Sequence, residues 1–223
     1  MKLTVGILIG FILSASAAVA GSVDELRLLD QSRGKAGAVV SVTPIFGQLV
    51  RMSYPQGFVL ANEKANSASY IQELVQRGEN VEHWTQMITV SGYKDLGASP
   101  QFTPAGLLTI IADGFRRACP NSFLERPLRD SKLEGLDTAA AVLSCGLSPT
   151  TGGRTSETAL IAVIRGRADA YTIQWAERVA PSKVPMEIEL PTWQARFGTL
   201  NPIRLCPIVS GEKAPYPSCV GAK

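Results

Sequence analysis

The sequence predicts an α+β domain: a central, mainly antiparallel sheet, a long helix after an N-terminal meander, and a second helix near the C-terminus. Three observations carry this reading. Runs rich in β-branched and aromatic residues, separated by short turns containing Gly, Pro or Asn, occupy much of residues 49–90 and 138–175. Thr103-Pro104 is a strong helix start, a hydroxyl N-cap followed by proline at the first helical position. A further start at Pro191 precedes Trp193 and Phe197, spaced to face inward from one helix.

Taken in order, residues 1–20 are expected to be a signal peptide. Lys2 supplies the basic start, residues 3–13 the apolar run, and Ala18-Val19-Ala20 the small-x-small cleavage site. No cysteine lies near that site, so a lipoprotein signal is excluded, and the remaining ~200 residues suffice for one domain with its own core. Residues 21–48 are expected to be an N-terminal arm, with a short helix in VDELRLLDQ and an extended stretch in AVVSVTPIF. Residues 49–223 then form one domain ending in a disulfide-closed tail.

Within that domain, LVRMSYP alternates Val50, Met52 and Tyr54 against Arg51 and Ser53, and Gly57 turns the chain into FVLANEK. Residues 70–75 and 84–90 complete an expected four-strand meander. In the last strand Trp84, Ile88 and Val90 fall on one face and Thr85, Met87 and Thr89 on the other, with neither face strongly polar, as in a strand inside a sheet. The helix from Pro104 carries Leu107, Leu108, Ile110, Ile111 and Phe115 as its apolar stripe. Arg116 and Arg117 suit the negative end of its dipole, and Pro120 stops it. NSFLERPLRDSKLEGLD reads as irregular. Strands follow at 138–145, 158–164 and 171–175; TALIAVI is apolar on both faces, and RGRAD joins the last two as a hairpin.

All four cysteines lie beyond residue 20, an even count that fits two disulfides in an oxidising compartment, periplasmic or extracellular. Four cysteines allow three pairings. The expected one is Cys119–Cys145, joining the end of the long helix to the end of a strand, with Cys206–Cys219, closing a proline-rich tail too polar to hold itself down by burial. Their spacing lacks the close Cys or His pairs of zinc sites, and the chain has one histidine, so no metal or cofactor site is expected. A formal charge of +3 without clustering excludes nucleic acid as a partner. Once the signal is removed, no membrane insertion is expected.

The order of elements, with GENVEHWTQMITV followed by TPAGLLTIIADGFRRACP, resembles the PsbP-like α/β/α sandwich and small exported bacterial proteins. The resemblance spans residues 49 to about 207 and rests on structural motifs. Members of that fold include photosystem assembly and extrinsic subunits, import-factor binders and envelope proteins. It therefore implies a binding role and leaves the partner open: a protein, an envelope component or a small ligand.

A search for chemistry yields little. His83 sits in a polar turn with no recognisable nucleophile, and there is no G-x-S-x-G elbow. Ser210 and Lys213 match S-x-x-K, but in a proline-rich tail instead of at a helix start. Glu187 and Glu189 alternate along MEIEL as solvated edge charges would. No catalytic residue is assigned. The basic residues are the one lead: Arg126, Arg129 and Lys132 in one segment, and Arg165 and Arg167 about Gly166, would contact an anion or a partner if these loops converge. Trp84, Trp175 and Trp193 are read as core residues. Two function classes follow: an exported non-enzymatic binding module of the bacterial cell envelope, and, as the alternative, a periplasmic or secreted hydrolase with a site assembled from scattered residues.

Overall fold

The computed structural model describes residues 37–128, 133 and 135–221. The expected signal peptide, the expected helix in VDELRLLDQ, Arg129 and Lys132 lie outside the described residues. Two sheets, three α-helices and a 3-10 turn at Pro149–Thr151 make up the described fold, and the α+β class expected from the sequence is the one observed. The first sheet contains β1 (Ala38–Ile45), β2 (Gln48–Pro55) and β10 (Arg204–Pro207) in the order β1-β2-β10. The second is seven-stranded and runs β3-β4-β5-β9-β8-β7-β6, with β3 at Phe58–Ala65, β4 at Ser69–Gln76 and β5 at Gln86–Tyr93. Its other half is β6 (Phe123–Pro127), β7 (Thr138–Cys145), β8 (Glu157–Arg165) and β9 (Ala170–Glu177). Every neighbouring pair is antiparallel.

The meander is therefore divided. Its first expected strand, β2, belongs to the small sheet, and the Pro55-Gln56-Gly57 turn carries the chain across to β3 in the large one. Gly57 takes φ +105° there, a conformation that suits a residue without a Cβ. The stretch AVVSVTPI is an integral strand, β1, paired along its whole length with β2.

The large sheet is covered on both faces. On one lies helix α1 (Pro104–Ala118), capped by Thr103, whose hydroxyl accepts from Gly106 N. Leu108 and Ala112 are its buried core positions, packing with Leu143, Ile161 and Val163; Ile110, expected in the stripe, is 66% exposed. It lies about 200° around the helix from Leu108, which puts it on the solvent side. The other face packs against the small sheet, through Ile45, Val50, Met52 and Tyr54, and against helix α2 (Leu190–Leu200), through Trp193, Phe197 and Leu200. Interior strand β8, beside the middle strand β9, is buried from Thr158 to Ile164, as its two-sided apolarity required.

Both expected disulfides form. Cys119–Cys145 ties the end of α1 to the end of β7, with Cα atoms 5.6 Å apart. Cys206–Cys219 ties β10 to the short helix α3 (Pro217–Val220) at 5.7 Å. The second bridge belongs to a small cluster with Val42 and Leu49 on the outer face of the three-stranded sheet.

Two local expectations fail for identifiable reasons. FLERP is an edge strand, β6, where the sequence read as irregular. Only its inner side is bonded, and its charges and Pro127 are what an unpaired edge tolerates. Trp84 precedes β5 and packs with Met87 beneath α1, whereas Ile88 and Val90 face the small sheet. The chain turns at residues 81–85 before the strand begins, so the alternation cannot be extended back to Trp84.

Candidate functional site

The antiparallel ladder has two ends, and the molecule treats them differently. At one end, Arg165 closes β8 and Ala170 opens β9, joined by the loop 166–169. Asp169, 3% exposed, accepts from Asp95 N (2.8 Å), Gly47 N (3.1 Å) and the Tyr171 hydroxyl (3.4 Å), fastening the β1–β2 turn and the 94–102 segment to the large sheet. Gly97 lies so close to the Asp169 carbonyl that a Cβ there would collide with backbone. Arg165 donates to the Gly97 carbonyl (2.8 Å) and the Phe102 carbonyl, pairs with Asp137 (3.2 Å) and stacks over the Phe102 ring at 4.9 Å. Burial, then the Asp169 charge and hydrogen bond, hold the Tyr171 hydroxyl pKa well above its ordinary value. This end is sealed by the chain's own groups.

The opposite end collects the start of β5, the start of β8 and the end of β9. Arg178 lies 3.7 Å over the Trp84 ring, pairs with Glu157 at 3.1 Å and donates to Thr150 at 2.9 Å. Arg196, on α2, lies 4.3 Å over Trp193 and 5.5 Å from Trp175 and pairs with Glu177 at 2.5 Å. Trp175 itself donates to Gln86 Oε1 at 3.0 Å. Guanidinium over a ring face is worth about 0.5–2 kcal/mol, depending on how far it is desolvated. The stacks therefore form a stiff floor on both sides of the sheet.

Around that floor, exposed apolar side chains stand among exposed polar ones such as Glu82, His83 and Lys183. Of the eight large apolar side chains exposed among the described residues, Val81, Leu147, Val179 and Val184 belong to loops at this end, and Leu190 opens helix α2. Backbone bonds lace those loops together: Arg178 N to Thr85 O (2.9 Å), Ser156 N to Val179 O (3.0 Å) and Ser182 N to Gly146 O (2.8 Å). Burying apolar surface of this kind on a partner is favourable at about 25 cal/mol per Å². Arginine and tryptophan beneath exposed aliphatic residues also match the composition of interface cores.

The arginines singled out from sequence are not brought together. Arg126 sits opposite Val142 on β7, which sits opposite Leu160 on β8, and cross-strand partners share a face: the one toward the small sheet. Arg165 follows Ile164 of that same face by one residue and so projects from the other, toward Phe102 and α1. Arg167 is exposed in the loop, with its backbone N bonded to Gln48 Oε1 at 2.7 Å. Arg129 lies outside the described residues.

His83 is exposed and its backbone N is bound by Asn80 Oδ1 at 2.9 Å. Ser210 and Lys213 are exposed in the tail, and Glu187 and Glu189 are exposed on either side of buried Ile188. The three tryptophans are buried, Trp84 on the α1 side and Trp175 and Trp193 on the other, all at one end of the ladder. Their shared end is invisible to strand-by-strand reading, because it depends on which strand ends the antiparallel order brings side by side. Among the described residues no group of three or more His, Cys, Asp or Glu is placed to hold a metal ion, and no helix is long and apolar enough to cross a membrane.

No protein-family model matches the chain, and a search of curated proteins finds no match. Similar solved structures include the Ran-binding protein Mog1p of Saccharomyces cerevisiae, 10% identical with a TM-score of 0.44 over 72% of this chain and 92% of that one. A Mog1 mutant is similar at 12% identity and a TM-score of 0.39, over 71% and 84% of the two chains. A structure from Bacteroides thetaiotaomicron is 16% identical with a TM-score of 0.36, and the match covers 74% of this chain but 47% of that one.

Proposed function

We propose that this chain is an exported, non-enzymatic binding module of the cell envelope, and that it meets its partner through the β5–β9–β8 end of the large sheet. The observation that carries this reading is the gathering of exposed Val81, Leu147, Val179, Val184 and Leu190 over two arginine–tryptophan stacks. The competing route, strand addition to an edge of the large sheet, is poorly served. Edge strand β3 has an irregular register at Leu60–Asn62 and exposes Glu63 and Lys64, and edge strand β6 ends in Pro127. Export is supported by the signal-like residues 1–20 and by two disulfides, bonds that persist in oxidising compartments.

The test joins location to surface. Protein recovered from the periplasm or medium should begin at Gly21 by intact mass, and full-length chain recovered in the membrane fraction would contradict export. The same recovered protein should co-purify with a partner, whereas the V179D/V184D double variant, folded to the same melting temperature, should not. Undiminished co-purification by that variant would remove this surface from consideration.

A further inference from the structure

Five arginines are half-buried among the described residues: Arg51, Arg165, Arg178, Arg196 and Arg204. Three of them pair with a carboxylate and stack on an aromatic ring. The remaining two do neither. Arg51 on β2 and Arg204 on β10 are directly opposed in the antiparallel register, so their side chains leave the sheet on the same face. That is the outer face, where the next pair along, Leu49 and Cys206, lies under the disulfide-closed tail.

Directly opposed like charges destabilise a strand pair. Here nothing in the described chain offsets the cost, since no carboxylate among the described residues lies within ion-pairing distance of either guanidinium. Arg51 Nη1 reaches the Pro202 carbonyl at 3.4 Å, while its Nε is buried with no hydrogen-bond partner. Two opposed guanidinium groups with no carboxylate beside them leave a charge that an anion reaching their outer nitrogens would balance. Burial first, and the Arg204 charge second, lower the Arg51 pKa, so the protonated form is held at a cost that a neighbouring negative charge would remove.

The geometry points to a binding site for a phosphoryl oxyanion, held between the guanidinium forks of Arg51 and Arg204 on the outer face of the small sheet. A guanidinium fork offers parallel donors that match two oxygens of one tetrahedral group; Arg204 can supply such a pair, and Arg51 adds Nη2, since its Nη1 is used by the Pro202 carbonyl and its Nε is buried. A phosphate dianion balances both charges, whereas a carboxylate balances one. The phosphoryl group can come from free phosphate or from the headgroup of an anionic phospholipid at the envelope surface, and the chemistry of capture is shared. This site lies away from the apolar end surface and does not depend on the reading given to it.

The experiment compares the purified chain with R204Q, a change on a short edge strand that leaves the core intact. Thermal unfolding is followed against inorganic phosphate, with chloride at matched ionic strength and acetate as controls. Flotation with phosphatidylglycerol and phosphatidylcholine vesicles runs alongside. Without phosphate, R204Q should melt no lower than the natural chain, because the repulsion is gone. Its half-saturating phosphate concentration should rise about tenfold or more, the loss of one charge-assisted binding arm.

A phosphate response confined to the natural chain supports the site with free phosphate as the source. Flotation with phosphatidylglycerol alone, lost in R204Q, supports it with the headgroup as the source. Equal phosphate responses in both proteins would reflect general salt stabilisation and overturn the proposal, as would acetate acting as strongly as phosphate, or neither probe binding.

Discussion

The two ends of the seven-stranded sheet use the same kinds of residue to opposite effect. At the 166–169 end, Arg165 spends its donors on the Gly97 and Phe102 carbonyls and on Asp137, and buried Asp169 collects donors from two separate loops. At the other end, Arg178 and Arg196 also pair and stack, but the loops above them keep valines in solvent, Val184 at 65% and Val179 at 47% exposure. An arginine on an aromatic ring is therefore not by itself a mark of a binding surface. What distinguishes the ends is the apolar area left uncovered once the polar groups are satisfied. One end closes the fold, and the other keeps a surface that folding does not use.

The largest effect is expected at the sealed end. Asp169→Ala removes the charged acceptor of Gly47 N and Asp95 N, and a hydrogen bond to a charged group contributes about 1.5–3 kcal/mol. A loss of about 3 kcal/mol or more in urea unfolding is expected, and a loss within about 0.5 kcal/mol, the range of ordinary surface changes, would erase the distinction between the ends.

A smaller effect, with a pH signature, is expected at Tyr171, whose hydroxyl donates to the Ile45 carbonyl at 3.2 Å as well as to Asp169. Its folded pKa is raised above the ordinary 10.0, so the proton is kept on folding and released on unfolding. The associated stability is complete below pH 10.0 and falls as pH rises through the folded value. Tyr171→Phe should cost about 1 kcal/mol at neutral pH. Its deficit against the natural chain should then narrow in alkaline unfolding, because phenylalanine cannot ionise. Tyr70 is shifted upward too, by burial and then by its bond to Glu63, so the variant should keep some alkaline sensitivity. A deficit constant up to pH 12 would contradict the assignment.

Much of the fold was legible because it rests on local signals. Thr103-Pro104 and Pro120 bracket α1, the two-sided apolarity of TALIAVI placed β8 in the sheet interior, and the ends of elements paired the cysteines. What escaped depends on partners distant in sequence. β10 is a four-residue strand in a proline-rich tail, made a strand by pairing with Arg51, Val50, Leu49 and Gln48. The division of the meander between two sheets is set at one turn, and alternation cannot report which sheet a strand joins.

The candidate surfaces were less legible still. The sequence drew attention to two separate basic segments, around Arg126 and around Arg165, that would act together only if their loops converged, and strand parity sets these two residues on opposite faces. Arg51 lies 151 positions before Pro202, which it contacts, and Arg204 is two further on; only register opposes the two arginines.

The most direct test of the central claim is site-specific photocrosslinking of the full chain in its host cell. A benzophenone side chain is placed at Val184, at the apolar end, and in parallel at Lys94, exposed at the sealed end. A discrete adduct of one mass is expected from position 184, abolished by Val179→Asp, and none from position 94. An adduct from position 94 alone, or the same adduct from both positions, would contradict it.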